Sequence, residues 1–202
     1  VRQSYLDRRG IKYVIALTPE KHEVHPEGLP GYVAEPQPAS AARRLESVDG
    51  LSMIGLRDVL RSARASRSLY YRTDTHWNDD GAYFGYRALV EWLAVQFPTI
   101  QPIPRERFDA VTITGFSGDL ARMLHLPTPP SEDIIALRLR DARARRLEVQ
   151  VPLDPRLLSP AHGVPQAWGT SDKSLPRGII FHDSFAEGLW LPLLAEHFET
   201  LV

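Results

Sequence analysis

The chain contains no cysteine. Disulfide cross-links, thiolate nucleophiles and zinc–thiolate centres are therefore excluded. The compartment stays open, because cytosolic and exported proteins alike can do without cysteine. No apolar run reaches the ~20 residues that a membrane-spanning helix requires, and no signal peptide precedes the first strand. A charge imbalance is also missing. The net charge is −1 over 202 residues, which indicates neither nucleic acid nor an anionic membrane surface as a bulk partner. No glycine-rich phosphate loop of Walker or dinucleotide type occurs, so no nucleotide cofactor is implied.

What remains is an ordinary soluble composition, 43% hydrophobic and 24% charged, long enough to bury one substantial core. The chain opens at Val1 in what reads as a helix tail and stops at Thr200-Leu201-Val202 in what reads as a strand. The expectation is a single domain over 1–202 that is a piece of a longer protein, so a missing leader says nothing of localisation. Arginine far outnumbers lysine, and Arg138, Arg140, Arg143, Arg145 and Arg146 cluster. That cluster reads as a solvated strand-and-turn face, with an anionic-polymer site as the minor reading.

Helix and strand signals alternate. Residues 11–17 form a β-rich apolar run that predicts a buried strand, closed by Thr18-Pro19, with a Pro- and Gly-rich loop following from His25-Pro26 to Pro38. Ala82, Tyr86, Leu89, Val90, Leu93 and Phe97 recur at helical spacing behind Asn78 or Asp79 as the cap. Ile179-Ile180-Phe181 predicts another buried strand, running into a helix over 185–197 that Pro192 kinks. The segment from Pro98 to Pro176 breaks the alternation and suggests insertions, and 152–176 reads as loop. The pattern predicts an α/β architecture with a mainly parallel sheet.

Two motifs carry chemistry. In Thr73-Asp74-Thr75-His76-Trp77-Asn78, residues i and i+2 of an extended segment point the same way. The Asp74 carboxylate can then accept from one imidazole nitrogen of His76 and leave the other facing a nucleophile. The nucleophile is supplied by His182-Asp183-Ser184-Phe185, where an apolar strand meets a helix start and exposes a serine at a sheet edge. The helix N-terminus offers free N–H groups for an oxyanion, each typically worth about 3 kcal/mol in the transition state. Taken singly, an Asp-x-His pair also reads as a turn cap with an incidental histidine, and Ser184 as an N-cap. His182-Asp183 as a metal pair is a distant alternative, because further His and Asp ligands are missing at ligand spacing; no metal is expected.

Four blocks carry a resemblance to the SGNH-hydrolase-like domain of the alginate O-acetyltransferase group, the AlgX and AlgJ type. They are Thr18-Pro19-Glu20-Lys21 with His25 to Pro30; Leu69 to Asn78 with Gly81-Ala82; Gly118-Asp119-Leu120-Ala121-Arg122-Met123-Leu124; and Phe181-His182-Asp183-Ser184-Phe185. The resemblance implies a three-layer SGNH-hydrolase-like α/β fold in which the Asp/His block precedes the serine, a permuted order. It implies a periplasmic enzyme that moves acetyl groups onto hydroxyls of an exopolysaccharide such as alginate, with a membrane-bound acyltransferase as the source of acetyl. By the same resemblance Ser184 is the nucleophile, His76 the base and then acid, Asp74 its orienting partner and Asp183 a supporting residue. Lys21, Tyr71, Arg72 and Trp77 are candidate substrate contacts. The serine block departs from the family's Gly-Asp-Ser at His182, which leaves the oxyanion donors unassigned. A carbohydrate esterase using the same three residues and a polysaccharide-binding scaffold are the rival readings.

Overall fold

The computed structural model describes residues 2–32, 41–148 and 166–202. The expected loop over 33–38, the end of a strand expected over 147–151, and most of the expected loop from 152 lie outside them. In chain order the elements are α1 (Arg2–Asp7), β1 (Ile15–Leu17), α2 (Lys21–Val24), α3 (Ala41–Glu46), β2 (Met53–Gly55), α4 (Leu56–Ala63), α5 (Asp79–Gln96), β3 (Phe108–Phe116), α6 (Asp119–Met123), β4 (Glu132–Leu139), β5 (Arg145–Leu147), β6 (Ala167–Gly169), β7 (Arg177–Gly178), α7 (Trp190–Ala195) and β8 (Thr200–Leu201). No helix among the described residues is long and apolar enough to cross a membrane.

Helix α5 organises the core. Asn78 caps it, its side-chain oxygen accepting the Gly81 N–H at 3.0 Å. Tyr86 and Val90 on α5 are fully buried, against Leu56 and Leu60 of α4 and Trp190, Leu193 and Leu194 of α7. Each such side chain contributes about 1.5–3 kcal/mol through burial. The polar atoms taken into this core are paired: Trp190 Nε1 donates to the Ala82 carbonyl at 2.6 Å, and the Tyr86 hydroxyl meets His197 Nε2 at 2.7 Å.

The architecture is mixed α/β, but the expected mainly parallel sheet is not what the described strands form. They make three small sheets. β1 pairs β2 in parallel and β7 pairs β8 in parallel, whereas β3–β4, β5–β6 and β6–β8 are antiparallel. The long β3–β4 pair lies within the stretch where the sequence alternation breaks. It is largely solvent-exposed along β3, as an antiparallel pair tolerates and a buried parallel strand does not. The arginines at 138, 140, 143, 145 and 146 are all exposed.

The second correction concerns the segment leading to Ser184. Ile179 and Phe181 are 73% and 96% exposed; only Ile180 packs on the core. The expected strand over 179–181 is absent: β7 ends at Gly178, and the apolar run beyond it meets the core through Ile180 alone. The long helix expected after it is interrupted. A single 3₁₀ turn spans Ser184–Ala186, Gly188 takes a φ of 72°, and α7 starts only at Trp190. The positive φ at Gly188 is the break. Pro192 falls in the first turn of α7, where a missing N–H costs nothing, and so produces no kink.

Candidate active site

The Asp74–His76 loop has an apolar base and a polar tip. Tyr70 and Trp77, both buried, form an isolated antiparallel bridge, and the Asn78 N–H donates to the Leu69 carbonyl at 2.9 Å. The backbone between them is held from two sides. The Lys21 ammonium donates to the carbonyls of Tyr71, Arg72 and Asp74 at 2.6, 3.2 and 3.1 Å, matching its three donors. α2, which carries Lys21, was not expected from sequence; the Glu23 carboxylate accepts the Glu20 N–H at 2.9 Å and defines its start. From β4, the Glu132 carboxylate accepts the N–H groups of Arg72 and Thr73 at 3.1 and 2.7 Å and the Thr73 hydroxyl at 2.7 Å. Burial lowers the Lys21 pKa below its ordinary value, opposed by the carboxylates of Glu132, Asp74 and Asp119.

At the tip, Asp74 Oδ1 accepts the His76 backbone N–H at 2.9 Å and lies 2.6 Å from His76 Nδ1. Asp74 Oδ2 accepts the Asp119 N–H at 2.9 Å. Burial alone would raise the Asp74 pKa, but the two backbone N–H groups and the His76 ring outweigh it and hold the carboxyl below its ordinary value. With Nδ1–H donating to a carboxylate, Nε2 is the acceptor. It lies 2.8 Å from Ser184 Oγ. Asp74 and His76, from one loop, and Ser184, 108 residues away from His76 in sequence, are thus joined in one line of hydrogen bonds.

Two residues that the sequence reading left without a role complete the arrangement. A Cβ on Gly118 would stand 2.4 Å from Asp74 Cβ and 2.5 Å from the Thr73 carbonyl oxygen, so only glycine lets α6 approach Asp74. Asp119 then accepts the Thr75 N–H at 2.7 Å and the Thr75 hydroxyl. Asp74, His76 and Asp119 place ligand-type atoms within 4.8 Å of one another, but protein donors occupy both carboxylates. Gly118-Asp119 was visible as a block in the sequence. Glu132, far along the chain, carried no local signal.

The serine segment is held more lightly. Trp77 Nε1 donates to the Phe185 carbonyl at 2.9 Å, and the Phe185 ring lies 4.8 Å from the His76 ring. Asp183, rather than Ser184, caps the 3₁₀ turn, its carboxylate accepting the Phe185 N–H at 3.0 Å. The oxyanion donors expected from a helix N-terminus are therefore largely occupied, because the Ala186 and Glu187 N–H groups also bond backward, to the carbonyls of Asp183 and Ser184. The N–H of Ser184 itself has no such bond among the described residues. His182 is exposed, and its Nδ1 lies 2.8 Å from the Asp183 carbonyl oxygen.

A cleft of about 240 Å³ opens beside Ser184 and His76, walled by Tyr71, Asp79, Phe185, Glu187 and Leu189. Of the expected substrate contacts, Tyr71 lines this cleft with its hydroxyl donating to Asp79 Oδ1 at 3.1 Å. Burial, with help from the adjacent Asp79 carboxylate, raises the pKa of that hydroxyl. Trp77 is a core residue with one edge on the cleft. Arg72 projects outward, its side chain 78% exposed and 3.6 Å from Glu132. Lys21 lies beneath the loop with all its donors engaged, not on the cleft wall.

Known proteins supply the fold and the family. Bacillus cereus PatB1 superposes with a TM-score of 0.72 at 16% identity, over 99% of this chain and 75% of its own. The O-acetyltransferase domain of Pseudomonas putida AlgJ superposes with a TM-score of 0.56 at 18% identity, over 96% and 61%. At these identities the likeness is one of fold. A protein of Azotobacter vinelandii named "Probable alginate O-acetylase AlgJ" is 26% identical over 216 residues, covering 94% of this chain and 53% of the relative. Its namesake in Pseudomonas aeruginosa is 33% identical over 90 residues, covering 40% of this chain and 21% of the relative. The chain thus spans about half, or less, of the relatives it matches. The profile of the SGNH hydrolase-like domain of the acetyltransferase AlgX matches residues 2–148, which include Lys21, Asp74, His76 and Asp119 and end before Ser184. The chain belongs to this family of SGNH hydrolase-like domains.

Proposed function

We propose that this domain is a polysaccharide O-acetyltransferase working through an acetyl-serine intermediate. The observation that carries the reading is the unbroken line from Asp74 Oδ1 through the His76 ring to Ser184 Oγ, at 2.6 and 2.8 Å. His76 Nε2 takes the Ser184 proton as Oγ attacks the acetyl carbonyl of the donor. The tetrahedral oxyanion is met by the Ser184 N–H. Collapse expels the donor's alcohol, which leaves with the proton from His76. A sugar hydroxyl then gives its proton to His76 and attacks the acetyl-serine; Ser184 recovers the proton as the sugar ester departs. Asp74 stabilises the imidazolium in both steps. Asp183 fixes the turn that presents Ser184.

Polysaccharide as acceptor is supported by the names of the alginate-related relatives. The family resemblance adds a periplasmic setting and a membrane-bound acyltransferase as acetyl source. Hydrolysis of acetylated carbohydrate is the second reading, favoured by the exposure of Ser184 to solvent, since water reaching the acetyl-serine yields acetate. The 2.8 Å contact of His76 with Ser184 weighs against a scaffold without chemistry. The test uses an activated acetyl ester and intact-mass spectrometry. Wild-type protein is expected to gain one acetyl on Ser184, and Ser184→Ala to lose ~10³-fold or more in turnover. Full activity in Ser184→Ala defeats the proposal. Supplying an oligosaccharide separates transfer, seen as acetylated sugar, from hydrolysis, seen as free acetate alone.

A further inference from the structure

The turn at the nucleophile leaves one amide open. The Asp183 carboxylate accepts the Phe185 N–H at 3.0 Å. The N–H groups of Ala186 and Glu187 turn back to the carbonyls of Asp183 and Ser184, at 3.3 and 3.2 Å. The Ser184 N–H has no partner among the described residues. Of the N–H groups in this turn, it is the one left for an oxyanion forming at Ser184.

The direction of that N–H is set by the carbonyl on the same peptide plane. The Asp183–Ser184 peptide is trans, so its N–H and C=O point in opposite directions. Whatever holds the Asp183 carbonyl therefore also aims the Ser184 N–H. Two donors hold it. The Ala186 N–H stands 3.3 Å away, beyond the roughly 2.7–3.2 Å usual for an N–H···O bond. His182 Nδ1 stands 2.8 Å away, well within that range. A carbonyl oxygen only accepts, so His182 Nδ1 carries the proton of this bond. The His182 side chain is the stronger holder of the two. Its residue is exposed, so this bond and not packing is what the ring contributes. With the Ala186 bond alone, the plane is freer to swing. A swing that turned the carbonyl toward the reacting oxygen would replace a donor by a repelling acceptor.

We propose that His182 is a positioning residue: by donating from Nδ1 to the Asp183 carbonyl, it locks the peptide plane that aims the Ser184 N–H at the oxyanion. The role rests on the acetyl-serine reading above and adds the residue that shapes its oxyanion donor. His182 is also where the serine block departs from Gly-Asp-Ser, and a glycine has no side-chain donor to offer. As Ser184 Oγ bonds to the acetyl carbon, the carbonyl π pair moves onto oxygen, and that oxygen accepts the Ser184 N–H. Deleting one such donor outright costs ~10²–10³ in kcat. Loosening it while the Ala186 bond remains should cost less, about tenfold.

The test compares acetylation of Ser184 in the full-length protein by an activated acetyl ester and by its thiono analogue, in which sulfur replaces the carbonyl oxygen. Sulfur is a weak acceptor and draws little on the Ser184 N–H. His182→Ala is expected to lower kcat about tenfold on the ester with KM unchanged, and to lower it far less on the thiono ester. His182→Asn, whose amide nitrogen sits as far along the side chain as Nδ1, should recover most of the loss. His182→Gln, whose nitrogen corresponds to Nε2, should not. An undiminished ester rate in His182→Ala, an equal loss on both esters, or a His182→Asn no better than His182→Gln overturns the proposal and leaves the acetyl-serine reading standing. So does a fall in melting temperature that tracks the rate loss across the variants. Full activity in Ser184→Ala overturns that reading instead.

Discussion

The two halves of the site are built differently. The Asp74–His76 loop is closed by a buried bridge, clamped by Lys21 through its carbonyls and by Glu132 through its N–H groups, and backed by α6 where Gly118 allows contact. The Ser184 segment is exposed, turns through a single 3₁₀ step, and is tied to the rest of the site by the Trp77 indole and the His76 ring. His76 is held stiffly and Ser184 is left accessible; on the proposed reading this suits a bulky donor and a bulky acceptor in turn. Under that proposal, preorganisation is concentrated where charge would develop, and openness where a polymer would enter.

Substitutions aimed at each half should therefore behave unequally. Asp74→Asn removes the charge that steadies the imidazolium and is expected to lower ester turnover by ~10³–10⁴. It also has a pH signature. Because the Asp74 carboxyl titrates lower in the folded protein than in the unfolded chain, its stabilising contribution is complete above the ordinary carboxyl range. It is lost as pH falls through the lower folded value. Denaturant melts of wild type and Asp74→Asn should therefore converge on acidification; a constant gap contradicts the assignment. Gly118→Ala drives a methyl into Asp74 and the Thr73 carbonyl. The expected result is a loss of about 1–3 kcal/mol and a fall in kcat on the order of 10²-fold from a displaced carboxylate. An unperturbed enzyme would show that the loop gives way.

Lys21→Met leaves three backbone carbonyls without their donor, for a loss of about 1 kcal/mol. Steady-state kinetics should show kcat reduced with KM for a small ester unchanged; a rise in KM alone would return Lys21 to the substrate. On the open side, Phe181→Ser should alter stability by no more than about 0.5 kcal/mol, because an exposed ring buries nothing. A thermal melt showing a larger loss would mean that the serine segment packs more firmly than its exposure indicates.

The same contrast governs what could be read in advance. The acid and base lie two residues apart, so their geometry follows from local backbone, and the cap and apolar stripe of α5 were equally local. Glu132 reaches Thr73 across 59 residues of sequence, and no pattern near either residue announces that bond. Ile179 to Phe181 misled because an apolar triplet looks the same whether one face or both are covered. What packs over each face decides that, and only Ile180 of the three meets the core. The sheet was misjudged for a related reason: alternation of helix and strand signals does not reveal the direction in which short strands pair.

Trp77 bridges the two halves, its indole bonded to the Phe185 carbonyl and its ring 5.0 Å from Trp190. An acyl group on Ser184, as proposed above, would be accommodated one residue from that bond. The indole would then act as an optical gauge of that step. Tryptophan emission followed in a stopped-flow instrument should report formation and decay of the acyl-enzyme without a coloured donor, and so with polymers that no chromogenic assay can follow.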